Sequence, residues 1–167
     1  NIDFLWVNRF ADTRTPYIVI KSLQKLELEK EFKSLFFADL EKKYKNFNNK
    51  KIKIHNFDEP YKYYLRSKFF IVSGKRIFGN NSLLEAMNYG LIPIVNKSED
   101  IDKIIEHGKN GFICENNIKS FYETLKYCIE LDSYNFTNIS TQAKKTINEK
   151  FNNNIWNNKM DRLLSKL

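Results

Sequence analysis

The sequence predicts an α/β domain built on a Rossmann-like, doubly wound parallel sheet. Two observations predict it. Short apolar, strand-like runs alternate with helical patterns along the chain, the order that yields a parallel sheet covered on both sides. The run 69–72 is apolar throughout, as a strand buried on both faces is. No internal repeat and no clear linker interrupts the pattern, so residues 1–167 are expected to form a single domain.

The elements follow in order. Ile2–Val7 is short, apolar and rich in large residues, a buried strand. Residues 16–28 form a helix, with Pro16 suited to its first turn and Ile18, Ile20, Leu23, Leu26 and Leu28 mostly on one side. Residues 35–37 are a second strand, 41–51 a Lys/Asn-rich surface helix end and loop, and 51–55 an alternating third strand. A short helix over 61–66 precedes the strand 69–72, and a loop with Gly74 and Gly79 leads to a helix over 82–89 and a strand over 91–95. Residues 101–107 are expected to be helical, ending at Gly108 in a left-handed cap, with His107 meeting the end of the helix dipole. Phe112–Cys114 is a last strand. Ile118, Phe121, Tyr122, Leu125, Cys128 and Ile129 share one helical face, and helices over 139–149 and 153–166 close the chain.

Bulk composition narrows the chemistry. The net charge of +8 suits acidic partners such as nucleotide phosphates, anionic lipid surfaces or nucleic acid. The cations are spread through KKYK (42–45), NKKIK (49–53) and Lys144-Lys145, which also describes ordinary solvated lysines. Cys114 and Cys128 have neither CxxC spacing nor a histidine cluster and sit in apolar contexts, so core positions in a reducing compartment are expected. No metal site is visible. Neither histidine, His55 or His107, has a triad or ligand arrangement around it. No apolar run approaches the roughly 20 residues of a membrane span. The chain opens at Asn1 directly into a strand-like run, as expected of a chain cut from something longer.

A doubly wound sheet binds ligands outside the carboxyl ends of its strands. That places the loops after Val7, Val72 and Val95 on the functional edge. A helix opening there presents unpaired N–H groups and a positive dipole end, which suit phosphate.

The stretch 73–95 carries the sharpest signal: Phe78-Gly79, Leu83-Leu84-Glu85-Ala86-Met87, Gly90 and Ile92-Pro93-Ile94-Val95 in that order. It resembles the donor-site segment of family-4 glycosyltransferases, which have the two-domain GT-B architecture. The chain is therefore expected to be the C-terminal, donor-binding half of such an enzyme. Gly79 lets backbone approach a pyrophosphate, and the N–H groups of Asn80, Asn81 and Ser82 lie at the helix start. The resemblance implies that Glu85 accepts hydrogen bonds from ribose hydroxyls. Ser82-x-x-Glu85 is equally the spacing of a capping box, in which the glutamate only ties down its own helix.

A second match lies at Val7-Asn8-Arg9-Phe10 followed by Arg14, similar to the family's strand ending in Gly-Arg with a Lys five residues on. It implies that Arg9 and Arg14 hold the donor diphosphate, with Arg14 supplying a planar fork in place of the Lys. A third, Ile104-Ile105-Glu106-His107-Gly108-Lys109-Asn110-Gly111-Phe112, resembles the family's turn after the donor strand and is structural. The sequence departs from the family at position 77, where an acidic residue is common and Ile77 stands. No Asp or Glu occurs between Phe69 and Leu84, and Lys75 and Arg76 take their place. A donor sugar held differently, for instance an anionic one contacting Lys75 or Arg76, is one explanation; a domain that binds nucleotide without efficient transfer is the other.

The resemblance implies a retaining transfer from a nucleoside diphosphate sugar, with no bound metal and no other cofactor. It implies a cell-surface glycan or lipid-linked acceptor held through a missing N-terminal domain, at a cytoplasmic site that includes peripheral contact with the inner membrane face. This half alone is expected to transfer little or nothing. The helix 153–166, with Ile155, Trp156, Met160, Leu163 and Leu164, is expected to pack on the missing domain. Two alternatives use the same residues. A sugar-nucleotide epimerase shares the architecture but needs acidic and histidine side chains around the sugar. A basic nucleic-acid-binding domain needs aromatics interleaved with cations on an open face, whereas most aromatics here lie inside strand runs, so no nucleic-acid partner is expected.

Overall fold

Among the described residues six strands pair into one all-parallel sheet in the order β3-β2-β1-β4-β5-β6. They are β1 (Ile2–Val7), β2 (Ser34–Phe37), β3 (Ile52–His55), β4 (Ser67–Val72), β5 (Ile92–Asn96) and β6 (Phe112–Cys114). The computed structural model describes residues 1–8, 12–37, 52–55, 61–77 and 80–151, with backbone alone for Asp12, Phe37 and residues 52–55. The segment 41–51 and the helix 153–166 read from the sequence lie outside these residues. The order is that of a doubly wound sheet, and it reverses direction between β1 and β4.

Period-2 alternation divides each strand between two cores. Phe4, Trp6, Phe69, Ile71, Ile92 and Ile94 pack on one face with Val19, Leu23 and Leu26 of α1 (Pro16–Glu27) and Phe121, Leu125 and Cys128 of α4 (Ile118–Ile129). Leu5, Val7, Phe70, Val72 and Val95 pack on the other. There they meet Tyr64 of α2 (Tyr61–Tyr64), Leu83 and Met87 of α3 (Asn81–Asn88), and Ala143 and Ile147 of α5 (Ser133–Lys150). Among the described residues no helix is long and apolar enough to cross a membrane.

Two sequence readings are corrected. Residues 101–107 are not a helix: only Ile101–Lys103 make a 3-10 turn, entered through Asp100 at a left-handed φ of 62°. The cause is Asn110, buried at 1% exposure. Its side chain accepts the Glu106 N–H at 2.8 Å and donates to the Ile104 carbonyl at 3.0 Å, taking backbone groups that a helix would have used. His107 is therefore no helix-end residue; its Nδ1 accepts the Ile113 N–H at 3.0 Å, and it bridges Gly111. Gly108 supplies its positive φ to this turn rather than to a cap. The second correction concerns α5, which starts at Ser133 instead of 139. Asp132 caps it through the Asn135 N–H at 2.9 Å, and its first three residues, Ser133–Asn135, are all exposed, so no buried stripe marks the start.

Candidate functional site

The carboxyl ends of β1 and β4 form the switch point of the sheet, and Arg14, Lys75, Arg76 and the start of α3 follow them in the chain. After β1 the chain makes a 3-10 turn, Asp12–Arg14, and enters α1 through Thr15. Thr15 holds φ 46° and ψ 43°, a left-handed conformation that is costly for a β-branched residue. Its hydroxyl does not cap α1 but donates to Asn116 Oδ1 at 3.2 Å. Strain of this kind persists only where surrounding contacts fix it.

Those contacts come from the loop after β4. Ser73, fully buried, donates its hydroxyl to the Arg14 carbonyl at 2.5 Å. The Lys75 N–H donates to the Thr13 carbonyl at 3.0 Å, and the Arg14 guanidinium reaches back to the Arg76 carbonyl at 3.0 Å. Gly74 is needed here: its φ is +152°, and a Cβ would stand 2.9 Å from the Thr13 carbonyl oxygen. Asn96, at the end of β5 and 1% exposed, clamps the same glycine. Its carboxamide accepts the Gly74 N–H at 2.8 Å and donates to the Gly74 carbonyl at 2.9 Å and to that of Lys97 at 2.9 Å. Three loops thus become one rigid platform.

Arg14, Lys75 and Arg76 stand on this platform, the last two exposed. None of the three forms an ion pair among the described side chains, and three cations so close together favour an anionic partner. Ile77 is buried with Val72 and Leu83, so the position where an acidic residue was looked for belongs to the core. Arg9, Phe78 and Gly79 lie outside the described residues.

At the opening of α3, Asn80 is the N-cap: its Oδ1 accepts the Leu83 N–H at 3.2 Å. Ser82 lies inside the first turn, so the capping box read as one option for Ser82 and Glu85 does not form. The N–H groups of Asn81 and Ser82 face no partner among the described residues. Glu85, exposed one turn on, accepts a hydrogen bond from the buried Tyr64 hydroxyl at 3.3 Å. Sequence reading brought Arg14, Lys75, Arg76, Asn80, Asn81, Ser82 and Glu85 to one edge, and the structure places them there. It missed Asn96 and Tyr64, which stand in no motif, and Ser73, which opens the stretch 73–95 but was given no role there. Among the described residues no group of three or more His, Cys, Asp or Glu side chains is placed to hold a metal.

Residues 1–147 match the family model described as glycosyl transferases group 1. No curated protein matches the chain. Solved structures share its fold: a glycosyltransferase from Rickettsia africae has a TM-score of 0.86 at 19% identity, over 99% of this chain and 48% of that one. Anabaena HepE, solved with UDP and glucose, has a TM-score of 0.84 at 17% identity, over 100% of this chain and 49% of that one. The C-terminal domain of a group 1 family protein, LpcC from Francisella tularensis, has a TM-score of 0.78 at 16% identity, over 90% of this chain and 87% of that domain. The chain spans about half the length of the first two.

Proposed function

The chain belongs to the glycosyl transferases group 1 family, with the fold of a GT-B C-terminal domain, and we propose that it is the donor-binding half of a nucleotide-sugar-dependent glycosyltransferase. The observation that carries this reading is the tie between Arg14 and the Ser73–Arg76 loop at the sheet's switch point, on the stretch that precedes α3. A diphosphate set there meets the Arg14 fork and the N–H groups of Asn81 and Ser82, with Arg9 as a further cation on the same loop. As the bond to the sugar breaks, negative charge grows on the leaving nucleoside diphosphate. Fixed cations and helix N–H groups stabilise that charge without reorganising. Glu85 takes the ribose.

The likeness to family-4 enzymes supports a retaining transfer, with the diphosphate neutralised by side chains rather than by a divalent ion. An acceptor of the glycan or lipid-linked kind is held on a second, N-terminal domain, and the basic surface suits work at the inner face of a membrane. The buried Ile77 and the exposed Lys75 and Arg76 favour a donor whose sugar carries negative charge. An epimerase finds no support here, because the described part of this loop offers no acidic or histidine side chain.

Calorimetry with UDP, GDP and single-stranded RNA tests the reading. Binding of one of the nucleotides is expected; RNA binding without nucleotide binding overturns it.

A further inference from the structure

Tyr64 belongs to none of the motifs that the sequence offers, yet it is 2% exposed. Its ring meets Phe70 edge-on at 5.8 Å and Tyr89 at 5.5 Å, which fixes where its oxygen points. That oxygen sits against α3, donating to Glu85 Oε2 at 3.3 Å. Burial, and then the charge of Glu85, hold the phenol above its ordinary pKa, so it remains a donor.

A glutamate on an exposed helix face has three rotatable bonds and no fixed aim. A carboxylate that is to accept from two neighbouring hydroxyls must present its oxygens in one orientation, and fixing that orientation beforehand removes an entropic cost from binding. The buried Tyr64 hydroxyl occupies one lone pair of Oε2 and leaves Oε1 without a hydrogen-bond partner among the described residues. We propose that Tyr64 is a positioning residue, which fixes the Glu85 carboxylate for the vicinal hydroxyls of a ribose and so makes the site select ribonucleotides. This rests on the reading of Glu85 as the ribose ligand. If the Tyr64–Glu85 bond were only a tie between α2 and α3, its loss would change stability and nothing else.

The test is calorimetry on the chain with UDP or GDP, whichever binds more tightly, and with the 2′,3′-dideoxy form of the same nucleotide. Wild type, Tyr64→Phe, Glu85→Ala and the double variant are compared, with melting temperatures alongside. Phe keeps the ring and its packing. Tyr64→Phe is expected to weaken the ribonucleotide roughly threefold to tenfold and to leave the dideoxy form unchanged. In the Glu85→Ala background it should have no further effect. An unchanged preference for the ribonucleotide in Tyr64→Phe, or an equal loss for both ligands, overturns the inference, whatever the melting temperature does. If Glu85→Ala itself leaves that preference intact, the ribose reading of Glu85 fails instead.

Discussion

Asn96 closes both backbone groups of Gly74, accepting its N–H at 2.8 Å and donating to its carbonyl at 2.9 Å, 22 residues away in sequence. One buried carboxamide therefore ties the end of β5 to the loop that supports Arg14. Asn96→Ala leaves two buried backbone groups unpaired, each costing about 1–3 kcal/mol. A loss of roughly 2–6 kcal/mol is expected in denaturant unfolding. Asn96→Asp should do no better, since it sets a second oxygen against the Gly74 and Lys97 carbonyls that the amide now serves.

Gly74→Ala tests the other side of the same contact. The new Cβ meets backbone rather than a flexible side chain, at 2.9 Å from the Thr13 oxygen, and at a φ that L-residues avoid. The turn Asp12–Arg14 has to move. Stability should fall by about 1–3 kcal/mol, and UDP or GDP affinity should fall with it. A variant that loses stability and keeps full affinity would show that the platform does not aim Arg14.

The cysteines make a prediction about alkaline pH. Burial pushes the Cys114 thiol from 9.0 up to about 12, and burial also pushes Cys128 well above its ordinary value. The folded state keeps these protons while the unfolded chain releases them, so each thiol's contribution is complete below about pH 9 and is lost as pH rises toward the folded values. Melting temperature should fall through that window, and replacing both cysteines by Ala should flatten the fall. A thiol-reactive dye at pH 8 should label the chain only at its unfolding rate.

Much of this was legible in the sequence, because apolar runs report strands directly. The pattern at 69–72 and 92–95 marked two central strands, and the glycine-rich spacing around Phe78 marked the edge where the loops meet. What stayed hidden were single buried polar groups. Asn110 converts an apolar, helix-like stretch into a turn through bonds to Ile104, Glu106 and Thr146, and no periodicity reports that. Asn96 and Tyr64 likewise act through partners 22 and 21 residues away.

Gly111 shows the same dependence on tertiary contact. A Cβ there would stand 2.5 Å from Pro93 Cγ and 3.0 Å from the Pro93 carbonyl oxygen, so the start of β6 packs directly on the proline of β5. Gly111→Ala should cost about 1–3 kcal/mol by overpacking, visible in thermal unfolding. Because this contact lies away from Arg14, affinity for UDP or GDP at a temperature where the variant is folded should not change.

The three cations at the switch point should separate by what they touch. Arg14 is anchored through the Arg76 carbonyl; with the diphosphate on its guanidinium as proposed, Arg14→Ala should weaken UDP or GDP at least about tenfold, the worth of a charge-assisted hydrogen bond. Arg14→Lys keeps the charge but loses the fork, and an intermediate affinity is expected. Lys75 and Arg76 are exposed at the next two positions of the loop from Gly74, and with Ile77 sealed into the core they are its remaining charges before Asn80 among the described residues. If they meet an anionic sugar, Lys75→Ala with Arg76→Ala should leave the free nucleoside diphosphate nearly unaffected. The same pair should weaken a nucleoside diphosphate uronate far more than the corresponding neutral hexose, and the difference should shrink with added salt. Equal losses for the free nucleotide and for both sugars would instead place all three cations on the diphosphate and leave the donor sugar's charge without support.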